Sequence, residues 1–284
     1  MRIKEITVSK SGVIPKASYS NLRPSYAITI ELDENDKEDD VILRAKEIVN
    51  RHFELDEYRA HVDLLQKQFK EIRFYDAPDG LKYPSITSVL YYDKEWFISK
   101  GDLIQYGSMG TIIHEVFWFA LNSYLKDQKI IWKDPMEFEN LQKEIGIVLN
   151  GSLKLNWNDY SYKEFGNEYI PKIKKVYGIE QVLLNPQIRV GGRYDLIAEL
   201  ENGKDAELSI IDLKTGAYDF RQLAFFAKTW NEINEEKIKQ MVVFPLGKTE
   251  NKIGYVKPKI ETDIDKYWDD LLIKREEFKN DFSI

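Results

Sequence analysis

The sequence predicts an α/β protein in which a central mixed β-sheet is flanked by helices and a small β–β–α appendage precedes it. Three observations support this prediction. Residues 2–9 and 25–32 alternate apolar and polar side chains, as half-buried strands do, and a helical pattern follows. A strongly apolar helical pattern occupies residues 110–126. From Gln187 onward the period becomes that of strands, interrupted by one helical stretch.

Residues 1–75 are expected to form the β–β–α appendage. A turn-rich stretch joins its two strands, and the acidic run DENDKEDD at 33–40 precedes its helix. Carboxylates stabilise the positive end of a helix dipole, so this run is interpreted as a solvated helix entry and not as a metal site. The helix is expected over residues 41–69. Its predicted apolar stripe consists of Ile42, Ala45, Ile48, Val49 and Phe53.

A domain boundary is predicted at residues 76–85, because DAPDGLKYPS is rich in Pro, Gly and Asp. The main domain would then span residues 76–284. Ser85 or Thr87 is expected to cap a short helix in it, and a helical hairpin or lid is expected over 134–178. Later strands are predicted at 187–200, 207–214, 239–246 and 253–257, with helices at about 219–233 and at 262–280.

The composition is that of an ordinary soluble globular protein, with 43% hydrophobic and 31% charged residues among 284. No apolar run approaches the roughly 20 residues of a membrane span, and the start MRIKEITVSK lacks the apolar stretch of a signal peptide. We therefore expect a cytoplasmic protein with no membrane partner. The net charge of −7 argues against a surface coated in positive charge, although it leaves room for a local basic groove.

The residues available for metal binding point to a hard ion. The chain has no cysteine, which excludes disulfides, thiolate nucleophiles, cysteine-ligated zinc and an iron–sulfur cluster. Three histidines leave little for a histidine-rich site. Any bound metal is therefore expected to be held mostly by carboxylate oxygens, which favours Mg²⁺ or Mn²⁺.

Two acids and a lysine stand on neighbouring predicted strands. Asp212 and Lys214 are two residues apart, so they share one face of their strand. Asp195 lies on the preceding strand, and it can lie beside Asp212 if the register across the loop ENGKDA permits. A divalent cation would offset the repulsion of the two carboxylates, and a lysine beside it could hold an attacking water. An ion pair at a strand end is the alternative, because similar acid-x-Lys triplets recur at 127–129, 235–237 and 250–252.

Five short motifs, in order along residues 80–260, resemble those of the PD-(D/E)XK nuclease superfamily, in its RecB-like exonuclease branch. They are Tyr83-Pro-Ser-Ile-Thr-Ser-Val-Leu90, Gly110-Thr-Ile-Ile-His114, Gly192-Arg-Tyr-Asp195, Ile211-Asp-Leu-Lys-Thr-Gly216 and Arg221-Gln-Leu-Ala-Phe-Phe226. The resemblance implies a restriction-endonuclease-like core. The appendage is similar to small N-terminal modules of phage-encoded nucleases.

The resemblance also implies a role for each matching residue. Asp195 and Asp212 would be the main ligands of one or two Mg²⁺ or Mn²⁺ ions, with the backbone carbonyl of Leu213 and the ring of His114 completing the shell. Lys214 would orient and activate the water. Gln222 would help to position Lys214 or the scissile phosphate, although only seven residues separate the two. A further glutamate ligand would be Glu180, favoured over Glu168.

Other candidates for contact with nucleic acid each have a structural alternative. Arg193 could bind phosphate or pair with Glu180. The lysines of PKIKKVYG could track a phosphate backbone or form a solvated helix face, and they are Lys172, Lys174 and Lys175. Some tryptophans could stack on bases or belong to the core, and they are Trp96, Trp118 and Trp157.

Three functions follow as hypotheses. The first is a metal-dependent DNA nuclease, most simply an exonuclease acting on linear or single-stranded DNA in replication, recombination or repair. The second is a non-catalytic DNA-binding or assembly module on the same fold, which would recruit a recombinase or a single-strand-binding protein through residues 1–75. The third is a restriction-type endonuclease, which would produce discrete fragments from circular DNA.

Overall fold

The computed structural model describes residues 5–17, 20–33, 36–69, 71–94, 98–203, 205–247 and 257–284. The chain divides into two compact units. The first comprises Met1–Tyr92 together with Lys274–Ile284, and the second is Asp93–Ile273. The boundary predicted at residues 76–85 falls inside the first unit. In the described part of the chain, no helix has both the length and the apolar character needed to cross a membrane.

The first unit combines short antiparallel hairpins with one long helix. Its elements are β1 (Glu5–Ser11), β2 (Ile14–Ala17), β3 (Ser20–Leu22), β4 (Ser25–Glu31), α1 (Glu38–Gln68), β5 (Phe74–Asp76), β6 (Lys82–Pro84) and α2 (Ile86–Tyr91). β1 pairs with β4, β2 with β3 and β5 with β6, all antiparallel. The turn-rich stretch between the two predicted strands therefore contains the β2–β3 hairpin.

The start of α1 agrees with the prediction, because Glu38, Asp39 and Asp40 form its first turn. Its predicted apolar stripe is wrong at Ile48, which is 41% exposed. The buried line follows a spacing of four residues, through Val41, Ala45 and Val49, so Ile48 lies beside this line. At α2 the Ser85 side chain accepts a hydrogen bond from the Ser88 amide, which confirms Ser85 as the cap.

The second unit contains the main sheet. Its elements are α3 (Lys100–Asp127), α4 (Gln142–Leu149), α5 (Tyr162–Tyr169), β7 (Ile173–Ile179), β8 (Val182–Asn185), β9 (Val190–Arg193), β10 (Leu196–Asn202), β11 (Asp205–Lys214), α6 (Phe220–Ile233), β12 (Gln240–Pro245), β13 (Lys259–Glu261) and α7 (Ile264–Phe282). The division between the units falls within α7.

The five-stranded sheet has the order β13-β12-β11-β10-β7. Every neighbouring pair is antiparallel except β11 and β12, which are parallel because α6 carries the chain back between them. This mixed sheet with flanking helices confirms the predicted α/β class. β8 and β9 form a separate hairpin, and β8 packs against α6.

The hydrophobic core lies between one face of the sheet and the helix α3. Alternation along each strand sends Leu196, Ile211, Leu213 and Phe244 into this core. α3 packs there with buried residues that recur every three or four positions, including Ile112, Ile113, Val116, Phe117 and Leu121. The core fixes the end of β11 against the middle of α3.

Several predicted elements differ in extent. The helix expected at 110–126 begins at Lys100, where Ser99 caps it by accepting a hydrogen bond from the Asp102 amide. The strand expected over 187–200 is broken into β9 and β10, because β9 pairs with β8 and not with the main sheet.

The region 134–178, predicted to be helical, ends in a strand. Residues from Ile173 onward form β7, the outermost strand beside β10, so the lysines of PKIKKVYG do not form a helix face. Of the strand predicted at 253–257, residues 253–256 lie outside the described residues.

Candidate metal and catalytic site

The end of β11 supplies an acid and a lysine to one face of the sheet. Ile211 and Leu213 enter the core, so Asp212 and Lys214 point to the opposite face. The Lys214 ammonium nitrogen lies 3.0 Å from Asp212 Oδ2. Both side chains are largely buried, which is unusual for charged groups without a functional or ionic partner.

The register of β10 and β11 brings Asp195 to this pair. Leu196 pairs with Ile211, so the same register continued by one residue places Asp195 opposite Asp212. The two carboxylates therefore lie on the same face, as the sequence prediction required. Asp195 Oδ2 also accepts a hydrogen bond from the Leu213 amide at 2.8 Å, which holds the carboxylate against the end of β11.

Glu180 follows β7 and turns towards the same site. It has a φ of 51°, in the left-handed region that non-glycine residues rarely adopt. Its amide donates to the Asp195 carbonyl at 2.9 Å. Its carboxylate accepts a hydrogen bond from Trp118 Nε1 at 3.2 Å and lies 2.9 Å from Arg193 Nε. These contacts give Glu180 a fixed position, which supports it over Glu168 as the additional acid.

α3 contributes His114 from the other side of β11. Its Nε2 lies 2.8 Å from the Leu213 carbonyl oxygen. Because a carbonyl can only accept, Nε2 carries the proton and Nδ1 faces the acids. Nδ1 lies 3.7 Å from Glu180 Oε1 and 4.0 Å from Asp195 Oδ2. The Leu213 carbonyl, expected as a metal ligand, is therefore bound to the His114 ring in this structure.

The donor atoms suit a hard divalent cation. Ligand atoms of His114, Glu180 and Asp195 all lie within 4.8 Å of one another. His114 Nδ1 lies 3.7 Å from Glu180 Oε1 and 4.0 Å from Asp195 Oδ2. Opposite ligands of a Mg²⁺ ion are roughly 4.2 Å apart, so both distances allow the two atoms to bind one ion. In the described part of the chain Asp212 Oδ2 is buried without a hydrogen-bond partner, since Lys214 is close but not aligned for one. A metal ion would add a second positive partner to that oxygen, beside the Lys214 ammonium.

The charges of the site act strongly on one another. Burial raises the pKa of the Asp195 carboxyl to about 7, and Asp212 adds to the shift. Burial would lower the pKa of Lys214, but Asp212 and Asp195 outweigh it and raise this pKa, so Lys214 stays cationic. Burial would also lower the pKa of His114, yet the neighbouring Glu180 and Asp195 raise it. Burial would raise the pKa of Glu180, but His114, Arg193 and Trp118 together outweigh it and lower this pKa.

Gln222 completes the site from α6. Asp219 caps this helix by accepting a hydrogen bond from the Arg221 amide, and Gln222 follows in the first turn. Gln222 Oε1 lies 3.5 Å from the Lys214 ammonium nitrogen. The seven residues between Lys214 and Gln222 are therefore sufficient to bring the two side chains together.

The end of β12 supports the end of β11, a feature that the sequence analysis missed. The Leu246 amide donates to the Lys214 carbonyl at 2.7 Å. A Cβ atom on Gly247 would lie 2.8 Å from the Thr215 carbonyl oxygen, so only glycine allows this close approach. Of the sequence signals, only the Gly247 position just beyond an apolar strand could have indicated the contact.

The predicted lysine contacts do not gather at the site. Lys172 pairs with Glu168, Lys174 with Glu201, and Lys175 lies 2.9 Å from the Tyr177 hydroxyl. Lys174 and Lys175 lie at the start of β7, whereas Glu180 follows its end. Lysines on an outermost strand discourage pairing with other chains, which accounts for these residues structurally.

The remaining candidates are divided between the site and the core. Arg193 is 61% exposed at its side chain and pairs with Glu180, so it borders the metal-ligand group. Trp118 is buried and donates to Glu180, a positioning contact that the sequence analysis missed. Trp157 is buried in the core, and Trp96 lies outside the described residues. Comparison with known proteins adds no relative, because no family model and no curated protein matches the chain significantly.

Proposed function

We propose that the protein is a Mg²⁺- or Mn²⁺-dependent DNA nuclease of the PD-(D/E)XK superfamily, in its RecB-like exonuclease branch, with a restriction-endonuclease-like core. The observation that carries the proposal is the arrangement at the ends of two neighbouring strands. Asp195 lies opposite Asp212, and Lys214 shares their face. The mixed sheet, with α3 on one face and the α6 crossover, is compatible with the proposed core.

The residues that would hold the metal are His114, Glu180, Asp195 and Asp212. Three of them already present ligand atoms to one another, and the fourth has a buried oxygen without a hydrogen-bond partner. When bound, the ion would supply positive charge that polarises a phosphate oxygen and makes a water more acidic. The Leu213 carbonyl oxygen has a second lone pair besides the one directed at the His114 ring, and that lone pair would be its contact with the ion.

The chain's own residues would place the water and the phosphate. The Lys214 ammonium nitrogen lies 3.0 Å from Asp212 Oδ2 and 3.5 Å from Gln222 Oε1, so the group is confined between these two side chains. As a cation it would donate hydrogen bonds to the attacking water or to the developing negative charge. Gln222 would restrict the lysine to this position. Arg193, at the exposed edge of Glu180, would contact a neighbouring phosphate.

The proposed substrate is linear DNA with an accessible end, and residues 1–75 would serve to recruit a recombinase or a single-strand-binding protein. Linear DNA labelled at its 5′ or its 3′ end, incubated with Mg²⁺, Mn²⁺ or EDTA, tests activity, metal dependence and polarity together. Mono- or short oligonucleotides released only with metal, and closed circles left intact, are the expected result.

Other outcomes of that experiment favour the other hypotheses. Discrete fragments from closed circles would favour a restriction-type endonuclease. Binding of DNA without cleavage under any metal condition would favour an assembly module. Full cleavage in EDTA would contradict a metal-dependent mechanism.

A further inference from the structure

An exposed aromatic side chain lies in the loop that leads out of the candidate site. Tyr218 is 44% exposed and belongs to the short connection between β11 and α6. It is four residues from Lys214 and four residues from Gln222, whose side chains meet at 3.5 Å. Four residues of chain span at most about 14 Å, so Tyr218 is confined to the surroundings of these two groups.

Both ends of this loop are anchored by contacts other than those of the site. On the β11 side, Gly247 packs against the Thr215 backbone. On the α6 side, both carboxylate oxygens of Asp219 accept from the Arg221 side chain, at 2.7 to 3.1 Å. Tyr218 therefore lies within three residues of a packed or hydrogen-bonded position on each side, which limits how far it can lie from the site.

The Tyr218 ring also packs against the ring of Phe220. Its centroid lies 5.4 Å from that of Phe220, with an angle of 73° between the rings. Phe220 in turn lies 5.4 Å from the ring of Tyr267 in α7. Aromatic pairs in such tilted geometry are stabilising. An aromatic side chain that is already held pays little additional entropy when a ligand packs on it.

We propose that Tyr218 stacks on an unpaired base next to the scissile phosphate and so makes the enzyme favour single-stranded DNA. This inference rests on the proposed nuclease function and specifies its substrate. Every base offers a π-face, so the contact would be independent of sequence. In a duplex the neighbouring base pairs cover those faces. Stacking on the Tyr218 ring would therefore add less to the binding of a blunt duplex than to that of a single strand.

The test measures binding separately from cleavage. Fluorescence anisotropy with a labelled single-stranded oligonucleotide and a blunt duplex is recorded in Mg²⁺, in the Lys214→Met background to limit hydrolysis. Tyr218→Ala is expected to weaken single-strand binding by about 5- to 100-fold, the equivalent of stacking on one base. Tyr218→Phe keeps the ring and should remain within about twofold, because stacking does not need the hydroxyl.

The matched control is Ile233→Ala, which removes another exposed large side chain at the far end of α6, about 20 Å along the helix from its start. It should leave single-strand binding unchanged. An oligonucleotide series with one abasic site gives an independent readout. One abasic position should weaken binding to the protein with Tyr218 and have no effect on the Tyr218→Ala variant.

The inference is overturned if Tyr218→Ala binds the single strand normally, if it loses the same factor on blunt duplex, or if Tyr218→Phe loses as much as alanine. Failure of the proposed function is seen elsewhere, as an absence of cleavage by the protein without substitutions in Mg²⁺ and Mn²⁺. The two failures are distinguishable because the binding comparison does not depend on hydrolysis.

Discussion

Asp195 and Asp212 lie opposite each other on neighbouring strands, and burial together with the nearby Asp212 makes the negative charge of Asp195 costly. A carboxyl whose pKa rises from 3.8 unfolded to about 7 folded binds more protons in the folded state. Its stabilising contribution is therefore present below pH 4 and is lost as the pH rises to 7. At neutral pH the buried Asp195 charge therefore lowers the stability of the folded protein.

Asp195→Asn is expected to stabilise the metal-free protein above pH 7. The amide oxygen can still accept from the Leu213 amide, while the charge repulsion is removed. Thermal unfolding in EDTA should show a melting temperature about 3–10 °C higher at pH 8, corresponding to a few kcal/mol for a domain of this size. Near pH 4 the difference should be small. An equal difference at both pH values would show that Asp195 is not the titrating group.

Substitution of Lys214 is expected to reduce cleavage. Lys214→Met keeps most of the apolar stem but removes the cation, and cleavage is expected to fall by about 10²–10⁴-fold. The matched control is Lys129→Met, because Asp127 and Lys129 repeat the acid-x-Lys pattern at exposed positions. Single-turnover cleavage rates in Mg²⁺ measure both. Equal cleavage rates for the Lys214→Met variant and the unsubstituted protein would show that Lys214 does not take part in cleavage.

Among the secondary-structure elements, those with strong internal periodicity were predictable. β11, β12 and α6 are found where the sequence predicts them, because each has a regular apolar pattern. β7 was missed because its residues, IKKVYGI, include two consecutive exposed lysines on an outermost strand and show no clean alternation. The break between β9 and β10 depends on the distant pairing of β8 with β9, which no local pattern shows.

Some residues of the candidate site were likewise predictable from the sequence, whereas some of their contacts were not. Asp195, Asp212 and Lys214 could be grouped from strand alternation, and His114, Gln222 and Glu180 from the family resemblance. The Trp118 contact to Glu180 joins residues 62 positions apart, so no local pattern predicts it. The binding of the Leu213 carbonyl by His114 likewise depends on how α3 packs beside β11.

The contact between the ends of β11 and β12 gives a prediction at the element scale. Gly247→Ala would place a Cβ atom 2.8 Å from the Thr215 carbonyl oxygen, so the loop after Lys214 must move. We expect cleavage to fall by at least about tenfold, because displacements near 1 Å carry such costs. Gly146→Ala in α4 meets open space and should leave activity unchanged. Cleavage rates, with circular dichroism to verify folding, compare the two variants.

On the scale of the whole molecule, the chain returns to its first unit at its end. Residues from Lys274 belong with Met1–Tyr92. Within that unit His61 Nδ1 lies 3.0 Å from the Ser283 carbonyl, and the rings of Phe69 and Phe282 lie 5.4 Å apart. These pairs are more than 200 positions apart in sequence, so local patterns could not predict this grouping.

Truncation after residue 273 is therefore expected to destabilise the first unit before the second. The change would remove the partners of His61 and Phe69 at the end of α1. Hydrogen exchange should show faster exchange of the α1 amides, with β10 and β11 retaining their protection. Unchanged protection of α1 would mean that residues 274–284 do not support this unit.

Cleavage of end-labelled single-stranded DNA, measured with and without metal for the unsubstituted protein and the Asp195→Asn variant, is the decisive experiment for the proposed metal site. We expect no cleavage in EDTA, recovery on addition of excess Mg²⁺ or Mn²⁺ to the unsubstituted protein, and no recovery in the folded Asp195→Asn variant. Cleavage that persists in EDTA, or that metal restores equally in the Asp195→Asn variant, would contradict it.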